Sequence, residues 1–539
     1  MAFQNPLPVP VLPPLAERTV PAVMARALAA SPDKMAVRDE TRALSYAALN
    51  DEALGLAGGM ARMGVEIGET MLLMLDNHVD YAACWLALSL TGRVEVPVNT
   101  AYLGSILVHV INNCGARAMI VESGYVQRIA DIADQLTALS DIVVRGPLPQ
   151  VELPPHIRLH AYGDLPAAPV SVEKVEPWDL IGIMYTSGTT GLSKGVRVTH
   201  AHAYGYSTPE VYGAVSADDT TLVVLPMFHI GGQWKGVYNA LIAGASAVIL
   251  PRFRATRFWD DVRFYGCTYT LVLGVMGEFL YGQPLDPQDR NHGLKRIAMV
   301  PVISDLEGFR ARFGMEAINS AYGSTEASVA LLSPHNGAEP GKIGWCRPDF
   351  EARLVDENDI DVPLGKAGEL LLRAREPWVM MNGYHAMPEA TVEAWRNLWF
   401  HTGDTMKQDE RGMFSFVDRS NDAIRRRGEN ISSFEVEREV ASHPAVSECA
   451  VIGVSSAATE HDIKACIVLK ADLQATPEEL IEFLRPRLPY FMLPRYIEFL
   501  DALPRTPTEK IRKQELRSAG VTETTWDADT AGISLKAGS

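Results

Sequence analysis

The sequence predicts an α/β protein in which a large N-terminal domain of α/β subdomains ends in a small β-barrel-like subdomain. A small α+β C-terminal domain follows it. Three observations predict this. Short apolar runs alternate with helix-patterned stretches from about residue 20 to residue 250. After Pro334 strand-like runs come in quick succession. A polar, basic run after Asp418 then sets apart a self-contained pattern of helix, strand, strand and helix. With 539 residues the chain exceeds what one core supports, since domains typically hold about 100–200 residues.

Residues 20–30 carry apolar side chains at helical spacing and read as the first helix. Residues 70–75 and 118–122 are apolar runs bounded by turn signals, the pattern of buried strands, and residues 221–225 and 245–250 repeat it. Such alternation builds a mostly parallel sheet with helices on its faces. Residues 81–90 are strongly apolar but too few to cross a bilayer, and read as a buried helix. Beyond Pro334, residues 352–355, 369–373 and 412–418 read as strands separated by Gly, Pro and Asp, as in a small barrel or twisted antiparallel sheet. The last pattern places helices at 435–443 and 477–487 and strands at 449–454 and 464–469. Residues 1–420 therefore form the N-terminal domain and residues 421–520 the C-terminal one. Residues 521–539, rich in small side chains and Thr, are expected to be a flexible tail.

Bulk properties narrow the function classes. Composition is ordinary for a globular enzyme, with 47% hydrophobic and 21% charged residues. A net charge of −17 argues against nucleic acid or an anionic membrane as partner, so an anionic ligand needs locally placed cations. Cys84, Cys114, Cys267, Cys346, Cys449 and Cys466 form no CxxC pair and read as thiols in a reducing compartment. The proline-rich start lacks a basic-then-apolar leader, and no window holds about 18 uninterrupted apolar residues. A cytoplasmic protein is the expectation. Homodimerisation is left open.

One segment carries the chemistry: Tyr185-Thr-Ser-Gly-Thr-Thr-Gly-Leu-Ser-Lys-Gly-Val, fed by an apolar run at residues 180–184. Thr186, Ser187, Thr189 and Thr190 supply hydroxyls, Gly188, Gly191 and Gly195 let backbone approach an oxyanion, and Lys194 supplies charge. That combination is a phosphate cradle. It is not GxxxxGK[ST], because Ser193 precedes Lys194.

This segment resembles the signature loop of the adenylate-forming superfamily, which comprises acyl-CoA synthetases, peptide-synthetase adenylation domains and beetle luciferases. Further motifs follow in the superfamily's order. Ala321-Tyr-Gly-Ser-Thr-Glu326 resembles the second adenylate-binding motif, and His401-Thr-Gly-Asp404 the ribose-binding one. Asp418-Arg419 with Arg427-Gly-Glu-Asn-Ile431 resembles the hinge and the loop after it, and Leu503-Pro-Arg-Thr-Pro-Thr-Glu-Lys510 the catalytic lysine loop. The texture of residues 418–437 is similar to the crotonobetaine/carnitine-CoA ligase group.

The resemblance implies an ATP-dependent, AMP-forming acyl-CoA synthetase that takes a small-molecule carboxylic acid, ATP, Mg²⁺ and coenzyme A. It implies a phosphate grip by Thr186, Ser187, Gly188, Thr189, Thr190, Gly191 and Lys194. Tyr322 and Gly323 would face adenine, Ser324 the nucleotide, Thr325 the α-phosphate, and Glu326 a magnesium ion. Asp404 would hold the ribose, with Arg419 reaching ribose or phosphate. Lys510 would bridge the carboxylate and the α-phosphate. Rotation about Asn421 would then exchange Lys510 for the coenzyme A-side loop of Arg427, Gly428 and Glu429, making the C-terminal domain mobile. Arg425 and Arg426 face either the coenzyme A phosphates or solvent. Phe228, His229, Gly231, Gly232, Gln233 and Trp234 resemble the aromatic gate beside the acid, with His229 a gate rather than a base. Gly274 and Val300 complete the expected acyl pocket. Glycines at 231, 232, 274 and 277 either leave room for a bulky acid or serve close packing.

The pattern departs in two places. Ala298-Met-Val-Pro-Val-Ile-Ser-Asp305 lacks the glycines usual before the second motif, and Glu509 stands where Gly is usual. Both touch the adenylation step. The alternatives are therefore a ligase that uses an adenylate made by another enzyme, transfer to a separate carrier protein, a luciferase-like oxygenase, and a non-catalytic adenylate-binding sensor.

Overall fold

The computed structural model describes residues 5–186, 192–212, 215–419, 423–426, 429–456, 461–504 and 511–535. Two seven-stranded sheets make the body of the molecule. The first runs Arg158–Ala161, Asp141–Arg145, Ala118–Glu122, Thr70–Met74, Val94–Pro97, Leu180–Thr186 and Lys194–Thr199 across its width. The second runs Ala317–Asn319, Arg296–Val300, Tyr269–Leu273, Thr220–Val223, Ser246–Ile249, Met35–Arg38 and Ala43–Ser45. Each is parallel except for one antiparallel pair at an edge. Parallel strands covered on both faces read as continuous apolar runs, which is why residues 118–122 and 70–75 were legible.

The helix Val79–Leu90 lies in the apolar cluster shared by the inner faces of both sheets, with all but Asp80 buried. A helix apolar all round belongs in a core. No helix among the described residues is long and apolar enough to cross a membrane. The helix Val20–Ala30 has the predicted span, with Thr19 capping it through Ala22 N–H.

The strand-rich segment forms an antiparallel half-barrel of Phe350–Val355, Gly368–Ala374, Phe400–Gln408 and Phe414–Arg419. A three-stranded sheet, Ala321–Ser324, Ser328–Leu332 and Trp345–Cys346, links it to the body. The C-terminal unit opens with the hairpin Ala423–Arg426 and Glu429–Ser432, followed by the helix Ser433–Ala441. Its second helix, Pro477–Leu484, begins at a Thr476/Glu479 capping box. It ends before the predicted residue 487, because Pro486 has no N–H to continue the helical ladder past Arg485.

The flexible tail is corrected. Trp526–Asp527 adds a fourth strand beside Tyr496–Phe499, Ala528 is fully buried, and Ile533 and Leu535 pack against the unit's core. The small-residue composition concealed three apolar anchors, Trp526, Ile533 and Leu535. Ile106, from the helix Gly104–Cys114 of the body, is also buried in that core. Around it Ser105 donates to Glu439 at 2.5 Å, and Arg438 donates to Ser105 at 2.5 Å.

Trp526→Ala should lower the stability of the C-terminal unit by about 2 kcal/mol, somewhat less than truncation of a fully buried aromatic. Chemical denaturation followed at a probe in that unit measures it. An unchanged midpoint would return residues 521–535 to the status of a tail.

Candidate active site

A cleft of about 1620 Å³ opens where the two sheets, the half-barrel and the C-terminal unit meet. Its walls carry Thr186, Lys194, Phe228, His229, Tyr322, Glu326, Asp404 and Glu429, so residues 243 positions apart in sequence share one space. In open α/β sheets such crevices form outside the carboxyl ends of the strands.

The glycine-rich loop is the tip of an antiparallel hairpin. Thr186 pairs with Lys194 and Tyr185 with Gly195 across it. Residues 187–191, which include Ser187, Gly188, Thr189, Thr190 and Gly191, lie outside the described residues. Gly195 is required by packing, since a Cβ there would lie 2.8 Å from Ile183 and 3.1 Å from the Tyr185 ring. The segment from Asn382 to His385 pairs with the outgoing strand through Asn382 N–H to Arg197 and His385 N–H to Gly195. That pairing puts the Tyr384 ring 4.9 Å from the Lys194 ammonium. The Tyr384 hydroxyl and the Thr186 hydroxyl both donate to one oxygen of Glu326, each at 3.3 Å. Tyr384 was not legible in the sequence, where nothing linked it to the loop 190 positions earlier.

Tyr322 and Asp404 meet directly, the phenol donating to the carboxylate at 2.6 Å. Gly323 is forced by the turn into Ser328, whose carbonyl would lie 2.4 Å from a Cβ. Ser324 and Thr325 line the cleft beside it, and the Ser324 hydroxyl accepts from Ala327 N–H. The Asp404 motif is held from behind by Glu369, which accepts from Gly403 N–H at 3.0 Å and pairs with His401 at 3.1 Å. Gly403 has φ +71°, a left-handed value that favours glycine. Asp404 is paired with Arg419 on the half-barrel ladder.

On the opposite wall the His229 ring meets Glu429 of the C-terminal hairpin at 3.1 Å. Surrounding protein disfavours a charged ring, but the Glu429 carboxylate outweighs this and raises the His229 pKa above its ordinary value. Phe228 packs on His229 with ring centroids 4.7 Å apart. Arg425 lines the same end of the cleft. Arg426 does not: it is buried, donates to the Phe491 and Leu493 carbonyls, and pairs with Asp462 at 3.1 Å. Arg427, Gly428, Asn421, Glu509 and Lys510 lie outside the described residues.

The acyl wall is narrower than the sequence reading made it. Phe228, His229, Gly231 and Val300 line the cleft with Leu271 and Met276. Gly232, Gln233, Trp234 and Gly274 do not. Gln233 and Trp234 are fully buried, on a π-helical turn over Gln233–Tyr238. A Cβ on Gly232 would lie 2.3 Å from the Pro226 carbonyl, and one on Gly274 2.5 Å from that of Pro301. Gly277 faces Met299 and Ile303 at 3.0 Å. These three glycines serve close packing. In the departure at 298–305, Val300 and Pro301 reach the cleft, Val302 and Ile303 turn into the core, and Asp305 caps the helix Leu306–Phe313.

Behind the gate, Gln233 donates to both oxygens of Glu95, at 2.7 and 2.9 Å, and the Tyr81 hydroxyl donates at 3.2 Å. Burial pushes the Glu95 carboxyl up to about 8, against the pull of those donors. A single Glu inside a strand-length run gave no sequence signal of this.

Parallel sheets, the Thr186–Lys194 hairpin and the Tyr322–Asp404 pair meet in one cleft beside a C-terminal unit, an arrangement suited to a small anionic ligand. Comparison with known proteins names it more closely. The family model for AMP-binding enzymes matches residues 24–385, and that for the AMP-binding enzyme C-terminal domain matches residues 435–510. The chain belongs to the AMP-binding enzyme family. It is 32% identical to a crotonobetaine/carnitine–CoA ligase of Citrobacter koseri over 488 residues, covering 88% of this chain and 93% of that one. Among solved structures, ATP-bound MatB from Rhodopseudomonas palustris aligns with a TM-score of 0.65 at 25% identity, covering 93% and 98% of the two chains. The o-succinylbenzoate CoA synthetase MenE of Bacillus subtilis aligns with a TM-score of 0.79, covering 92% and 98%, and at 22% identity shows likeness of fold.

Because the native state binds the Glu95 proton more tightly than the unfolded chain, this contribution to stability is complete below about pH 4.5 and is lost as pH rises toward about 8. Urea midpoints measured between pH 5 and 8 should therefore fall in the wild type relative to Glu95→Gln. Parallel curves would mean that Glu95 titrates as an ordinary carboxylate.

Proposed function

We propose that this chain activates a carboxylic acid as its acyl-adenylate and transfers the acyl group to coenzyme A. It is an AMP-forming acyl-CoA synthetase. One observation carries the reading: the phosphate hairpin, the Tyr322–Asp404 pair and the coenzyme A-side hairpin with Glu429 all face one cleft.

In the first half-reaction a carboxylate oxygen bonds to the α-phosphorus of ATP and the bond to pyrophosphate breaks. Two anions meet, so the protein must supply cations and donors where charge develops. Lys194 and Thr186, at the two ends of the loop, would hold the outer phosphates. Tyr322 would face adenine, Thr325 the α-phosphate, and Asp404 the ribose hydroxyls. The Tyr322 phenol, bonded to Asp404, fixes these two contacts relative to each other. Glu326 suits a Mg²⁺ site, because Mg²⁺ is usually held by one or two carboxylates together with substrate phosphates. Mg²⁺ would neutralise polyphosphate charge there. Lys510 would supply the cation that bridges acid and α-phosphate. No general base is needed, since the acid arrives ionised.

In the second half-reaction the coenzyme A sulfur bonds to the acyl carbon, the carbon–oxygen bond to AMP breaks, and AMP leaves. The described arrangement suits this step. Glu429 reaches His229 inside the cleft, while Leu503 and Ile511, which flank the lysine loop, pack in an apolar cluster of the C-terminal unit. Residues 1–420 would then bind acid and ATP, and residues 421–535 would alternate about Asn421. The six free thiols are in keeping with a reducing cytoplasm.

The acid remains to be found by scoring a panel for AMP release with and without coenzyme A. Lys510→Ala should reduce pyrophosphate exchange by roughly 10²–10³ while largely sparing thioester formation from preformed adenylate. Equal loss of both steps would remove Lys510 from its assigned role. Absence of exchange in the wild type with its cognate acid would favour a ligase fed with adenylate by another enzyme.

Glu429→Ala should show the opposite split, slowing the thioester step by roughly tenfold and leaving pyrophosphate exchange near the wild-type rate. Loss of exchange would place Glu429 in adenylation instead.

A further inference from the structure

Ser193 stands immediately before Lys194 and is fully buried. Its backbone N–H donates to Glu435 Oε1 at 3.0 Å, and its hydroxyl donates to the same oxygen at 2.6 Å. Its carbonyl is paired with His109 Nε2 at 2.8 Å, from the body helix Gly104–Cys114. Every polar group of this residue is thus committed, two to the C-terminal unit and one to the body. Glu435 lies in the first turn of the helix Ser433–Ala441 and is itself buried. The contact joins residues 242 positions apart.

We propose that Ser193 and Glu435 are a positioning pair for thioester formation, seating the C-terminal unit directly on the base of the phosphate-gripping loop. The proposal rests on the function argued above. Besides the packing of Ile106 in the unit's core, polar contacts hold the unit in place at two further points, His229 with Glu429 at the gate and Ser105 with Glu439 and Arg438 beside Ile106. Neither touches the loop. Ser193 does, so the segment that carries Lys194 cannot shift without disturbing the seat. The reverse also holds: when the unit leaves, Ser193 loses both of its hydrogen bonds to Glu435 and the loop base is freed. Hydrogen bonds suit a reversible seat, because both partners can be rehydrated when it opens. A buried apolar contact would favour the closed state without reporting on the loop.

Four variants test this: Glu435→Ala, Glu435→Gln, Ser193→Ala and the double Ser193→Ala/Glu435→Ala. Acyl-CoA formation from synthetic acyl-adenylate reads the second step, and pyrophosphate exchange reads the first. Glu435→Ala should slow the second step by roughly tenfold or more, as expected when a buried donor is left unsatisfied, with exchange close to the wild-type rate. Glu435→Gln retains an acceptor and should recover most of the loss. The double variant should lose no more than Glu435→Ala. Equal loss in both steps, no loss in either, or additive losses would overturn the pair.

Hydrogen exchange decides the seat without reference to catalysis. Amides of residues 104–114 should exchange faster in Glu435→Ala than in the wild type, while those of residues 79–90 stay unchanged. Unchanged exchange at 104–114 would refute the seat. If the wild type made no acyl-CoA from any acid, the functional reading would fall and this measurement would still rule on the pair.

Discussion

A protein carrying seventeen net negative charges must hold a polyphosphate, and much of the structure follows from that constraint. Lys194, the cation proposed to grip it, is placed by a two-stranded ladder in which Thr186 and Lys194 face each other. The ladder is an edge of a buried parallel sheet, so its position is set by a core rather than by a loop. The Tyr384 ring beside the ammonium contributes a negative π-face without adding a carboxylate that would repel phosphate. Glu326 is nearby, but two hydroxyls donate to it and divide its charge.

The remaining carboxylates of the cleft are handled in the same way. Asp404 accepts from Tyr322, and Glu369 is paired with His401 and a backbone N–H. Glu429 is matched by His229, whose pKa it raises. Glu95, deeper in the body, is pushed toward its neutral form by burial. Each negative group near the site is bonded or discharged by its surroundings. These donors stabilise the carboxylates in place, and the cationic Lys194, Arg252, Arg396 and Arg425 also line the cleft.

The fold was legible where the chain obeys one rule at a time. Buried parallel strands give unbroken apolar runs, and the helix at residues 79–90 gives an unbroken apolar helix. One wall of the cleft was legible because its residues lie in short contiguous motifs: Tyr322 to Glu326, and His401 to Asp404. What stayed hidden is long-range. Tyr384, Glu95 and Glu435 act across 190, 138 and 242 positions, and no local pattern marks them. The acyl wall was overdrawn for a related reason. A run such as Gly231-Gly-Gln-Trp234 looks uniform in sequence, but helical geometry turns only part of it toward the cleft. The tail misled because composition averaged over it hid Trp526, Ile533 and Leu535.

The two sides of the cleft are tied to the C-terminal unit at different points, and this has a mechanical consequence. At the acid side His229 is held by Glu429, and at the phosphate side Ser193 is held by Glu435; both carboxylates belong to one short stretch, Glu429 to Glu435. On the proposed alternation, the hairpin and the helix that follows it would leave or arrive at both points together. Opening the gate to an acid and releasing the base of the phosphate loop become a single event. An enzyme that must bind acid and ATP before it meets a thiol gains order from such a linkage. On that proposal the substrates of the first step would find both ends of the site unlocked, and the thiol would find both ends fixed.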